Sequence, residues 1–194
     1  MVTSPQDGQL RVLPATKDRW ADVVACFGRR GNDPGWCWCQ RFIGPPADGD
    51  NRAALHRQMS AAAVPIGLVA FADERPVGWT RVVPRSELPG VLSNRGLKRL
   101  LPEDRGAWWV TCFAVDAGHR GHGVGSALLN AAVSHAREHG ASAVEGHPVD
   151  VDKLTATRVS GAALFTGTLA MFAAAGFTEI GRTFPSRPVM RLQF

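Results

Sequence analysis

The stretch Val110-Thr111-Cys112-Phe113-Ala114-Val115-Asp116-Ala117-Gly118-His119-Arg120-Gly121-His122-Gly123-Val124-Gly125 decides how this chain folds. Its first six residues are apolar or β-prone and suit a packed, pleated surface, so they read as a buried strand. Asp116-Ala117-Gly118 turns the chain. Gly121, Gly123 and Gly125 then alternate with His122 and Val124 ahead of an amphipathic run. Strand, glycine-rich loop and helix start, in that order, form an anion cradle. The glycines let the backbone approach a phosphate, and the first helical N–H groups point at it without internal partners. The same spacing also serves a plain tight turn. Arg120, directly ahead of the loop, adds a fixed positive charge that favours an anion. There is no Gly-Lys-Ser/Thr ending of a P-loop, and no acidic residue at the distance a dinucleotide ribose requires.

Downstream, Val124, Leu128, Ala131/Ala132 and His135/Ala136 fall at helical spacing, and Gly140 ends that helix. Ala143–His147 reads as a strand, so the unit Val110–His147 is a right-handed parallel crossover. Pro148–Gly161 is a loop, Ala162–Ala175 a last helix, and Phe177–Phe184 with Pro188–Phe194 a closing hairpin. Upstream, Leu10–Pro14 is a first strand. Arg19–Phe27 is a helix capped by Thr16 or Asp18, and Asn51–Ala62 a second helix. Pro65–Ala72 and Val77–Val83 flank Asp73-Glu74-Arg75-Pro76 as a hairpin. Ser86–Gly106, with a short helix around Leu97–Leu101, is long enough to act as a cover over a ligand, and a solvated basic face is the plainer reading.

Composition sets the frame. With 194 residues, 45% hydrophobic and 20% charged, the chain is expected to form one domain, 1–194, with an ample core. Met1–Leu10 is polar, and the longest apolar run, Ala61–Ala72, is interrupted by Pro65 and shorter than the ~20 residues of a membrane span. A cytoplasmic location without membrane contact is the expectation. The net charge of +5 is spread along the chain, which argues for solvated faces rather than a nucleic-acid groove. Cys26, Cys37, Cys39 and Cys112 include one C-x-C pair, with neither a second pair nor a nearby His to complete a zinc site. Free thiols and no metal are expected.

The order β–α–α–β–β–β–α–β–α–β–β, with Arg-Gly-His-Gly-Val-Gly between the fourth strand and third helix, resembles the GNAT N-acetyltransferase superfamily. The family signature Gln/Arg-x-x-Gly-x-Gly/Ala is met by Arg120, Gly123 and Gly125. Met171-Phe172-Ala173-Ala174-Ala175-Gly176-Phe177 is similar to the family's late helix ending in Gly-Phe. The resemblance implies a mixed α/β fold. Its sheet is mostly antiparallel, with about seven strands, about four flanking helices and a splayed parallel β4–β5 pair.

It also implies acetyl-coenzyme A as co-substrate. The main chain of Phe113, Ala114 and Val115 would pair with the pantetheine arm as a pseudo-strand. Arg120, Gly121, His122, Gly123, Val124, Gly125 and Ser126 would hold the pyrophosphate. An amine would then attack the thioester, with a strand-four N–H, that of Val115, polarising the carbonyl. Alternation puts His147 and Glu145 on one face of strand five as candidate bases. His147 is preferred, because its ordinary pKa of ~6.5 suits a base at neutral pH. Glu145 needs burial to raise its own.

Asp150 and Asp152 are candidates for recognising a cationic acceptor, and Trp36, Trp38, Trp79 and Trp108 for an aromatic acceptor wall. The chain departs from the family at two positions. Phe172 stands where a tyrosine often serves as general acid, and Phe165 where an Asn often touches coenzyme A; the chain has no tyrosine at all. Thr166, Thr168 or water are the remaining acids. The expected activity is N-acetylation of a small amine or amino-acid-like acceptor. A coenzyme A sensor or pseudoenzyme, or a protein N-acetyltransferase, are the alternatives. The oligomeric state is open, with the terminal hairpin the place where a homodimer would form.

Overall fold

The computed structural model describes residues 10–154 and 164–194. Seven strands form one sheet in the order β1-β2-β3-β4-β5-β7-β6. They are β1 (Leu10–Pro14), β2 (Gly67–Ala72), β3 (Arg75–Pro84), β4 (Ala107–Val115), β5 (Ala143–Gly146), β6 (Thr178–Phe184) and β7 (Arg187–Gln193). Every neighbouring pair is antiparallel except β4–β5, which the connecting helix makes parallel. Six α-helices lie among the described residues: α1 (Trp20–Cys26), α2 (Asn51–Ala61), α3 (Pro89–Leu92), α4 (Arg95–Lys98), α5 (Val124–Glu138) and α6 (Leu169–Ala174). The architecture is therefore the mixed, mostly antiparallel sheet that the sequence led one to expect, with two more short helices. None of these helices is long and apolar enough to cross a membrane.

Two cores flank the sheet. One face buries Trp38, Leu55, Trp79 and Trp109 beneath α1, α2 and the 36–44 loop. The other packs Leu128, Leu129, Ala132 and Ala136 of α5, with Phe172 of α6, against Val82, Val110 and Val144. The α5 helix is rich in Ala and Leu, and it stops where Gly140 takes a left-handed conformation and Ala141 N–H bonds Ala136 C=O at 3.0 Å.

The last helix is shorter than expected. Gly167 has φ +80°, and the Thr168 side chain accepts from Met171 N–H, so α6 starts at Leu169. Ala162 and Ala163 lie outside the described residues. The side-chain cap expected at Thr16 or Asp18 is absent from the start of α1.

The cysteine expectation is corrected. Cys39 and Cys112 form a disulfide, while Cys26 and Cys37 are free. Trp38 and Cys39 both take left-handed φ values, +39° and +58°, which turns Cys39 inward over β4. Such backbone costs about 1–3 kcal/mol and persists only where its surroundings hold it. Here Trp38 is fully buried with its indole N–H on Asp33 C=O at 2.8 Å, and Gln40 exchanges amide hydrogen bonds with Gln58. The bridge closes a loop with a sequence separation of 73. Opening it by reduction or by Cys39→Ser is expected to lower stability by about 2–4 kcal/mol, read as a shifted denaturant midpoint. An unchanged midpoint would show that the bridge restrains nothing.

Candidate active site

The glycine loop follows β4 directly. Gly121 and Gly123 have φ of +79° and +77°, a region where a side chain is strained. A Cβ at either would meet no heavy atom within 4 Å, so the glycines serve the backbone turn and leave open space above it. Gly123 is the N-cap of α5 and offers no side-chain cap; the first intrahelical bond runs from Ala127 N–H to Gly123 C=O at 2.9 Å. The N–H groups of Val124, Gly125 and Ser126 precede that bond and face outward with the positive end of the helix dipole. Arg120 is exposed beside them, its Nε donating to Val115 C=O at 3.2 Å, and His122 Nδ1 lies 2.9 Å from Arg120 C=O. An uncapped, fifteen-residue helix opening on exposed glycines beside an arginine fits a phosphate.

β4 then parts from β5. The two pair from Ala107↔Ala143 to Val110↔Gly146 and no further. Thr111 is an extra residue opposite β3, because Arg81 faces Cys112 while Val82 faces Val110. Such a bulge re-aims the strand and ends pairing. Beyond it, Asp116 N–H bonds Val77 C=O, so alternation turns the Ala114 N–H to β3 and those of Phe113 and Val115 to the splayed edge. Of the three residues expected to pair with pantetheine, Phe113 and Val115 thus present their N–H groups there. The Phe113 N–H is not free: it donates to Phe165 C=O at 2.6 Å. Val149 and Thr168 form a parallel bridge, and Val149 N–H bonds Gly167 C=O, so residues 165–168 run between the two strands.

His147 follows β5. Its Nε2 lies 2.8 Å from Thr183 Oγ1 on β6. Burial pulls the imidazole down to about 4, aided by the charges of Arg187 and Arg41, while a bond with the Arg187 main chain opposes the shift. The ring is therefore neutral at neutral pH. Arg187 Nη1 donates to the buried Thr166 hydroxyl at 3.0 Å, and the Arg41 guanidinium lies 5.2 Å from the centroid of the Phe165 ring.

Glu145 does not share this place. It is fully buried, with Arg85 Nη1 bonding both its oxygens at 2.9 and 2.8 Å and Arg191 bonding Oε1. Burial pushes the carboxyl above its ordinary range and the two guanidiniums pull against that. Arg191 continues to Asp104, which accepts from Ser142, while Arg85 also donates to the Pro102 and Asp104 carbonyls. With both oxygens held, Glu145 ties β5 to the 85–106 connection, and its assignment as a base is corrected to that structural role.

Other expectations shift as well. Trp38 and Trp79 are fully buried core, Trp108 packs on His135 and His139 under α5, and Trp36 lies against Arg30, so the four form no acceptor wall. Asp150 pairs with Arg182 at 2.6 Å and is no countercharge for an acceptor; Asp152 lies in an exposed turn. Thr168 caps α6. Phe172 is fully buried against Phe113 and Phe177 and brings no hydroxyl. The 86–106 connection does not cover the glycine loop. Its α4 packs on β6, where a Cβ at Gly96 would lie 3.2 Å from Thr183, and Gly90 N–H bonds Phe42 C=O.

The acetyltransferase (GNAT) family profile matches residues 36–159. The chain belongs to the GNAT acetyltransferase family. Many solved structures share the fold. The GNAT domain of S. lividans PAT aligns with a TM-score of 0.58 at 18% identity, covering 95% of this chain and 90% of that one. The histone acetyltransferase HPA2 and related acetyltransferase of Corynebacterium glutamicum gives 0.55 at 24% identity, with 94% of each chain covered. The yncA protein of Salmonella typhimurium, solved with its cofactor acetyl-CoA, gives 0.54 at 18%, covering 95% and 93%. No curated protein sequence matches the chain. At such identities the likeness concerns the fold. The glycine loop and the splayed β4–β5 pair of this GNAT chain were expected from its sequence, and the bulge at Thr111 was not. Arg41, Arg187, Thr183 and the Phe165 carbonyl were missed, since none stands in a motif.

Proposed function

We propose that the chain transfers the acetyl group of acetyl-coenzyme A to a small amine by direct attack. The observation that carries this reading is the splayed β4 edge, which leads into an uncapped glycine loop and already holds a carbonyl at the Phe113 N–H. Acetyl-coenzyme A, when bound, supplies an activated acyl carbonyl and a thiolate leaving group. The main chain of Gly121–Ser126 with Arg120 would hold its pyrophosphate, and the Phe113 and Val115 N–H groups its pantetheine and carbonyl. The Val115 N–H, fixed on a strand, stabilises developing negative charge without reorganising, while the Phe113 N–H serves the pantetheine once it is vacated. Phe165 must leave Phe113 for that.

His147 receives the proton of the attacking amine, but burial holds it at about 4, so it is a weaker base than the ordinary value of ~6.5 would make it. It is neutral, and the Thr183 hydroxyl fixes its ring. No side-chain acid stands at Phe172; a thiol of ordinary pKa near ~8.5 leaves without one at neutral pH. His147→Ala is expected to lower kcat by about 10²- to 10⁴-fold with acetyl-coenzyme A affinity unchanged. An equal loss of affinity would make the ring structural.

The pH dependence has a fixed sign. An unfolded His binds its proton near ~6.5 and the folded one near 4, so between those values the unfolded chain holds more protons. The stability that His147 contributes is complete above about 6.5 and is lost as pH falls towards 4. In the free enzyme, kcat/KM should accordingly carry no inflection from this residue near 6.5.

The test of the function is thiol release. Purified protein, acetyl-coenzyme A and a panel of small amines should yield free thiol and N-acetyl product in equal amounts. Tight cofactor binding with no product across the panel would instead make the chain a coenzyme A sensor.

A further inference from the structure

Around His147 the charge balance is one-sided. Arg41 comes from the loop after α1, Arg187 opens β7, and the charge of each depresses the imidazole. Consecutive residues bring the two together: Arg41 lies over the Phe165 ring and Arg187 bonds Thr166. Among the described residues, neither makes an ion pair with a carboxylate. Each acidic side chain in the surrounding strands is already engaged, Asp150 and Glu179 with Arg182, Glu145 with Arg85 and Arg191, and Asp104 with Arg191. Arg182, Arg191 and Arg85 show that this end of the sheet pairs its arginines wherever it can.

Arg187 is half-buried, and burial first and the Arg41 charge second work against its own charge. Arg41 itself is exposed, so the desolvation falls on Arg187, and perturbed groups of this kind cluster at functional sites. Thr183 faces His147 directly, and Phe165 and Thr166, held by Arg41 and Arg187, carry no negative charge either. A polyamine or other dication would be repelled here.

We propose that the acceptor is an amine that also carries a carboxylate, an amino acid or close relative, whose carboxylate binds between Arg41 and Arg187 with its amino group beside His147. This rests on the acetyl-transfer reading and deepens it. The planar guanidinium forks suit a carboxylate, and such charge-assisted bonds are the strong ones. Burial depresses the imidazole most, and the anion offsets the charges of Arg187 and Arg41 that add to it. Acceptor binding therefore raises the proton affinity of His147, the nearest group able to take the proton of the amine.

Two measurements test the proposal and keep it apart from the acetyl-transfer reading. The first compares L-amino acids with their primary amides as acceptors, by thiol release. The acids should be favoured in kcat/KM by tenfold or more. Arg41→Gln and Arg187→Gln should raise KM for the acids by about tenfold to a hundredfold and leave KM for the amides in place. Amides used as well as the acids, or an equal loss on both in the variants, would overturn the proposal. The second needs no turnover: calorimetric binding of N-acetyl-L-alanine against N-acetyl-L-alaninamide, with the His147 ring followed by NMR. Carboxylate-selective binding that moves the His147 titration upward supports the anion site even if no amine is acetylated, in which case the transfer reading alone fails. No selectivity and an unmoved ring would remove the anion site.

Discussion

Gly123→Glu is expected to abolish acetyl-coenzyme A binding, a loss of at least a hundredfold, in a protein that still folds. The position has a left-handed backbone and no neighbour within 4 Å of a Cβ, so the new side chain finds room while the backbone strain costs about 1–2 kcal/mol. That is a modest part of the roughly 5–15 kcal/mol typical of a domain. The carboxylate would stand at the positive end of α5, where the pyrophosphate needs the same N–H groups. Gly123→Ala separates the two effects, since it carries the same strain without the charge and should retain far more affinity. Calorimetry with acetyl-coenzyme A reads the difference. Affinity that survives the glutamate would remove the phosphate from this loop.

The second large effect is on stability. Glu145→Ala is expected to destabilise the fold by about 3–5 kcal/mol, because it leaves Arg85, with only 9% of its side chain exposed, as a buried cation facing main-chain carbonyls alone. For a domain of this size the melting temperature should fall by on the order of 10 °C. Replacing the pair together, with Arg85→Met and Glu145→Leu, should cost less than the single change, since no unpaired charge then remains. A Glu145→Ala protein with unchanged melting and lost turnover would restore this carboxylate to the catalytic list.

These two residues mark what a sequence reveals and what it hides. The glycine loop was legible because its signals are local: a β-prone run, glycines at fixed offsets, and an apolar stripe at helical spacing. The parallel β4–β5 pair followed from the crossover alone. Glu145 was placed on the correct strand, yet its partners come from the ends of β3 and β7, which no local pattern connects to it. The Cys39–Cys112 bridge was hidden for the same reason, and the neighbouring Cys37 drew attention to a C-x-C pair that has no joint role. The occupant of the Phe113 N–H is a main-chain carbonyl, which every residue possesses. Side-chain type carries no trace of it. Gly167, with its left-handed turn, was the one signal that the chain breaks before α6 and runs beside β4.

The central claim is that the β4 edge and the glycine loop are two halves of one acetyl-coenzyme A site. The most direct test is a crystal structure of the full chain with coenzyme A. Pyrophosphate oxygens are expected on the N–H groups of Gly121–Ser126 and pantetheine along the main chain of Phe113–Val115. In that complex the Phe165 carbonyl is expected to have left its 2.6 Å contact with Phe113. Coenzyme A bound elsewhere while Phe165 stays on Phe113 would contradict the claim.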